Sequence, residues 1–90
     1  MRSYEISSEL KDTLSKLSKK DKNLYEQTLK KIEEVISSSD IEHYKNLKYA
    51  MKDRKRVHVG HFVLVFKYIK NEDKIEFLDF KHHDDIYLRR

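Results

Sequence analysis

Arg56-Val57-His58-Val59-Gly60-His61-Phe62-Val63-Leu64-Val65-Phe66-Lys67-Tyr68 is the stretch on which the fold of this chain turns. It is dense in β-branched and aromatic residues and has no Pro, so it reads as a strand, or a strand pair broken near Gly60. Before Gly60, Val57 and Val59 fall on one side of the pleat and Arg56 and His58 on the other, because strand side chains alternate with period two. After Gly60 both faces are apolar, with Phe62, Leu64 and Phe66 on one and Val63 and Val65 on the other. That is the pattern of a central strand covered on both sides.

Towards the N-terminus, residues 2–6 form a short strand candidate in which Tyr4 and Ile6 share a face. Ser7 or Ser8 then offers an N-cap oxygen, and Leu10, Leu14 and Leu17 recur at helical spacing, which predicts a first, short helix. Lys19, Lys20 and Asp21 make the connection to a second helix over 22–37, whose stripe is Leu24, Thr28, Ile32, Val35 and Ile36, widened by Tyr25 and Leu29. Ser37-Ser38-Ser39-Asp40 ends it, since these side chains compete for backbone hydrogen bonds and favour turns. Residues 41–54 are irregular. Beyond the central run, Asn71-Glu72-Asp73 is a turn and 75–80 another strand, with Ile75, Phe77 and Asp79 on one face and Leu78 and Phe80 on the other. The order β, α, α, then β predicts an α+β domain over residues 1–90: an N-terminal strand and helical hairpin packed on a three- to four-stranded, mainly antiparallel sheet.

Composition bounds the function classes. Ninety residues are enough for one independently folding domain. There is no Cys, so disulfides, thiolate zinc sites and cysteine nucleophiles are excluded, and a reducing compartment is expected. No apolar run approaches the roughly 18 residues of a membrane span, and the first residues lack a signal-peptide core, so a cytoplasmic protein that does not enter a membrane is expected. The net charge is +4 but unevenly placed. From residue 9 to 40 acids and bases cancel, whereas Lys45, Lys48, Lys52, Arg54, Lys55 and Arg56 face Asp53 alone, and Arg89 and Arg90 close the chain. Such a patch attracts polyanions, RNA or DNA phosphate first among them.

The remaining chemistry sits in Lys81-His82-His83-Asp84-Asp85-Ile86-Tyr87. Adjacent His and Asp residues suggest a metal site, but neighbouring histidines on an extended chain point apart and no helical spacing completes a ligand set, so no metal or other cofactor is expected. Gly60 is the sole glycine, which leaves no nucleophile elbow and no phosphate-cradling loop. His, Tyr, Arg and Lys remain, the inventory of metal-free RNA cleavage: a 2′-hydroxyl to deprotonate, a crowded phosphorane to neutralise, a 5′-oxygen to protonate. Histidines titrate near neutrality without tuning and are the preferred proton carriers. Tyr44 and Tyr49 read as core or rim residues ahead of base-stacking ones.

Taken in order, the opening strand, the helical hairpin ending near Ser37, Leu47-Lys48, Arg56-Val57-His58-Val59, Phe62-Val63-Leu64-Val65-Phe66 and the closing Phe80-Lys81-His82-His83-Asp84-Asp85-Ile86-Tyr87 resemble the RelE/ParE superfamily of toxins from toxin–antitoxin systems, most closely its RelE-like branch. The resemblance covers nearly the whole chain. It implies an endoribonuclease that cuts mRNA on the ribosome, leaving a 2′,3′-cyclic phosphate and a 5′-hydroxyl, and that is held inactive in a hetero-oligomer with a cognate antitoxin.

Carried over by position, Arg56 and His58 fall where the family has two basic residues on a strand. His83 or His82 falls at its C-terminal Arg or His, and Tyr87 at its C-terminal Tyr. Lys45, Lys48, Lys52, Arg54 and Lys55 are the expected phosphate contacts. One departure stands out: Val63 replaces an Arg that many relatives use to bind phosphate, which implies weaker or rearranged cleavage. Two other classes remain open at this point, a ParE-like inhibitor of DNA gyrase and a basic RNA-binding module without catalysis.

Overall fold

The computed structural model describes residues 2–47 and 53–87, side chains of 86 and 87 excepted. The expectations for Lys48, Tyr49, Lys52, Arg89 and Arg90, and for the Tyr87 side chain, lie outside the described residues. In chain order the elements are β1 (Ser3–Ile6), α1 (Ser8–Lys20), α2 (Lys22–Ser37), a 3-10 turn (Ile41–His43), β2 (Lys55–Val59), β3 (Phe62–Ile69), a second 3-10 turn (Lys70–Glu72), β4 (Lys74–His82) and a short α3 (His83–Tyr87). The fold is α+β: helices packed on a four-stranded sheet of order β1-β4-β3-β2. β2–β3 and β3–β4 are antiparallel and β1 runs parallel to β4. Among the described residues no helix is long and apolar enough to cross a membrane.

Local chemistry sets the helix ends. Ser7 caps α1, its hydroxyl accepting the Leu10 N–H at 3.0 Å while donating to the Leu78 carbonyl at 2.8 Å. The first helix is longer than expected, because nothing at Lys19 or Lys20 breaks it and both cations favour its C-terminal dipole. Asp21 alone joins the pair: its N–H bonds the Leu17 carbonyl at 2.9 Å, closing α1, and its carboxylate accepts the Leu24 N–H at 3.1 Å, opening α2. α2 buries Thr28, Ile32, Val35 and Ile36, with the Thr28 hydroxyl satisfied by the Leu24 carbonyl at 2.8 Å. Leu29 does not widen the stripe as expected, being 39% exposed on the outer flank.

The main core lies between the helices and one sheet face, where Leu10, Leu14, Ile32, Val35 and Ile36 meet Val59, Leu64, Phe66, Ile75, Phe77 and Phe80. On the opposite face Val63 and Val65 are covered by Leu47, so β3 is buried on both sides as its sequence predicts. Phe80 corrects the expectation for β4. The ladder shifts between Val65 and Phe66, which pair with Asp79 and Phe77, so Leu78 is an extra residue in β4. This bulge moves Phe80 to the face of Ile75 and Phe77, where its ring stacks on Phe62 at 5.1 Å, and turns Asp79 and Lys81 to the face of Val63 and Val65.

Two turns join the antiparallel strands. Gly60 and His61 link β2 to β3, Gly60 with φ +61° and His61 without a positive φ, the sign pattern of a type II′ hairpin turn. Asp73 enters β4 in the left-handed region (φ 48°), which Asp tolerates better than most side chains. Its carboxylate accepts the Tyr68 hydroxyl at 2.7 Å and the Arg2 Nε–H at 2.9 Å. The same Arg2 guanidinium reaches the Ile36 carbonyl at 3.3 Å and the Ser38 carbonyl, tying the N-terminus to the end of α2. The Tyr68 hydrogen bond and the Arg2 cation hold the Asp73 carboxyl below the usual carboxylate value.

Candidate functional site

Strand register builds the site on the sheet face away from the helices. Arg56 pairs with Val65 and Val65 with Asp79; His58 pairs with Val63 and Val63 with Lys81. Two rows therefore cross three strands, each with an apolar residue in the middle and polar ones outside. Period-two alternation keeps all six side chains on one face. Leu47 covers the apolar centre.

α3 completes the cluster. The His83 N–H bonds the His61 carbonyl at 2.9 Å, docking the start of α3 on the β2–β3 turn. This brings the His83 ring to 5.6 Å from His58, the two planes within 29° of parallel. The Asp84 carboxylate lies 3.6 Å from His83 Nδ1. Partial burial, the Arg56 cation and the neighbouring His83 push the His58 imidazole below the ordinary histidine value. At neutral pH His58 is therefore a neutral ring able to accept a proton.

His82 does not join this pair. Its ring stands 6.4 Å from His61 and edge-on to Phe62 at 5.5 Å, and its Nδ1 accepts the Asp84 N–H at 3.2 Å. His82 ends β4 on the side of Phe62, whereas His83 opens α3 and turns towards His58.

The expected phosphate contacts divide. Lys45 is exposed, and its carbonyl accepts the Arg56 N–H at 2.9 Å, which sets it alongside the site. Arg54 is half-buried, its carbonyl taking the Leu47 N–H at 2.8 Å. Lys55 is a correction. It is 8% exposed, on the helix-side face of β2, and its ammonium donates to the Tyr44 carbonyl and Asn46 Oδ1 at 3.1 Å each, with the Glu42 carboxylate at 3.6 Å. Alternation along β2 sends it opposite to Arg56 and His58, so it braces residues 42–46 instead of meeting phosphate. Tyr44 packs edge-on against Phe66 at 5.5 Å, in keeping with core packing.

Lys81 is the functional candidate that sequence reasoning missed. Simple alternation along β4 puts it on the face of Ile75 and Phe77; the bulge puts it across from Val63, in the row of His58. The signal was present in the apolar spacing 75, 77, 80, a step of two followed by a step of three. Among the described residues no group of three or more His, Cys, Asp or Glu side chains is arranged to hold a metal ion.

No family model matches the chain. It is 44% identical over its full length to a Methanocaldococcus jannaschii protein bearing the name toxin RelE4, covering 95% of that protein. A metal-bound toxin from Helicobacter pylori shares the fold at a TM-score of 0.74 and 22% identity, over 96% of this chain and 99% of that one. A chain of the intact E. coli RelBE toxin–antitoxin complex matches at a TM-score of 0.68 and 22% identity, over 91% and 96%. A full-length relative at this identity leaves one assignment: the chain belongs to the RelE-like toxin family.

Proposed function

We propose that the chain is the toxin of a toxin–antitoxin pair, an endoribonuclease that cuts mRNA on the ribosome and is neutralised by a cognate antitoxin in a hetero-oligomer. The observation that carries this reading is the meeting of Arg56, His58, Lys81 and His83 on one sheet face. The antitoxin rests on kinship with toxins solved in such complexes.

In the proposed reaction His58, neutral at physiological pH, takes the proton of the 2′-hydroxyl. The 2′-oxygen attacks phosphorus, a 2′,3′-cyclic phosphate forms, the bond to the 5′-oxygen breaks, and that oxygen takes a proton from His83, whose Nδ1 lies 3.6 Å from the Asp84 carboxylate. Arg56 and Lys81 flank the phosphate and offset the second negative charge of the phosphorane. Lys81 stands opposite Val63 and supplies the cation that Val63 lacks. Lys45, Arg54, Lys48 and Lys52 hold flanking phosphates, and Tyr87 stacks on a base or shares in proton transfer. His82 orients the first turn of α3. The inventory needs no metal for these steps.

The test is translation of a reporter mRNA followed by primer extension. Codon-spaced cuts with 5′-hydroxyl ends, lost in His58→Ala and His83→Ala, are expected. Intact mRNA, with or without inhibition of DNA supercoiling, overturns the reading.

A further inference from the structure

Asp79 is an acid set among the cations of this face, and its geometry is built. One oxygen, Oδ1, accepts the N–H of Phe80 at 2.9 Å, which fixes the carboxylate against the backbone. The other, Oδ2, lies 3.8 Å from the Lys81 ammonium. Both side chains keep just under a third of their surface, 30% for Asp79 and 31% for Lys81, so the pair is neither solvent-separated nor sealed from a ligand. The Leu78 bulge puts both residues on this face, since unbroken alternation would send them to the core. A carboxylate presents two oxygens to a cation much as a phosphodiester presents its two non-bridging oxygens.

We propose that Asp79 is a built-in counter-ion for Lys81, holding that cation until an RNA phosphate displaces it. The inference rests on the nuclease reading and adds a specificity device to it. Binding RNA requires breaking one ion pair to form another, which lowers affinity by a fixed factor. Free RNA at sub-saturating concentration feels the whole factor. RNA held beside the toxin by the ribosome does not, because its effective concentration saturates the site. The carboxylate thus biases the protein against free RNA.

Asp79→Asn tests this directly, because the amide oxygen still accepts the Phe80 N–H while the charge is gone. The probe is a fluorescent 2′-O-methyl RNA oligonucleotide, which lacks the attacking hydroxyl, read by anisotropy across a salt series. The phosphate contacts of the complex are the same in both proteins, so the salt slope is expected to stay close to wild type, while loss of the competing exposed ion pair tightens binding by roughly two- to fivefold at 0.15 M salt. In a Lys81→Gln background the gain is expected to fall below half of that, and Asp79→Glu, which keeps the charge, is expected to show none. Unchanged or weaker binding by Asp79→Asn overturns the proposal. So does an equal gain with and without Lys81, which would assign the effect to overall charge. Cleavage on programmed ribosomes is assayed on the same wild-type protein: its absence removes the nuclease reading and leaves the binding comparison to stand or fall separately.

Discussion

In the proposed reaction, replacing Lys81 by Ala removes a cation from beside the reacting phosphate while leaving the core untouched. The phosphorane carries one more negative charge than the ground-state diester, and only that increment accelerates the reaction. A unit charge at ~4 Å, in the effective dielectric near a protein surface, is worth about 4 kcal/mol. Lys81 keeps 31% of its side-chain surface exposed, and solvent screening of such a group brings the figure to roughly 2–3 kcal/mol. Cleavage by Lys81→Ala should therefore fall about 10²-fold. Lys81→Arg, which keeps the charge, should retain most of the activity. The assay is single-turnover cleavage of mRNA on programmed ribosomes at saturating toxin, with thermal melts to show that each variant is folded. Cutting by Lys81→Ala within about threefold of wild type, or a fall in Lys81→Arg as large as in Lys81→Ala, would refute this role for the Lys81 charge.

Further outcomes follow from the same structure. Because the folded-state value of His58 is depressed and the base must be neutral, the rising limb of the kcat/KM–pH profile should lie below the ordinary histidine value of ~6.5; Arg56→Gln, which removes one cause of the depression, should move it upward. Gly60→Ala should cost about 1–2 kcal/mol in urea unfolding, all of it conformational, since φ is +61° and an added Cβ meets nothing within 4 Å. Lys55→Met should lose roughly 2–3 kcal/mol of stability by the same measurement, because the Tyr44 carbonyl and Asn46 lose a buried charged donor. The salt slope of RNA binding by that variant should stay at the wild-type value; a fall of one phosphate contact would reinstate Lys55 at the RNA.

Much of the architecture was legible from residue pattern. Alternation through residues 56–66 foretold a strand or strand pair broken near Gly60 with a two-faced central part, and the Leu10/Leu14 and Ile32/Val35/Ile36 spacings foretold the helices, because each pattern has a single way to bury its apolar side. Arg56 and His58 were assigned to the polar face by the same rule. Lys55 could have been moved off the RNA by that rule too. Its charge suggested solvent, but its parity with Val57 and Val59 pointed inward, where Tyr44, Asn46 and Glu42 receive it.

The chain alone thus determined element order, the central β-prone run, the α+β class and the chemistry available, since these depend on local periodicity and on side-chain type. Tertiary structure decided which groups meet. Whether His82 or His83 faces His58 depends on how α3 docks on the β2–β3 turn, and whether Lys81 and Asp79 face the core or the open side depends on one extra residue in β4. A bulge reverses the parity of everything after it. Its presence is set by pairing with β3 and by Ser7 taking the Phe77 and Leu78 carbonyls, partners about 70 residues distant that no local window contains.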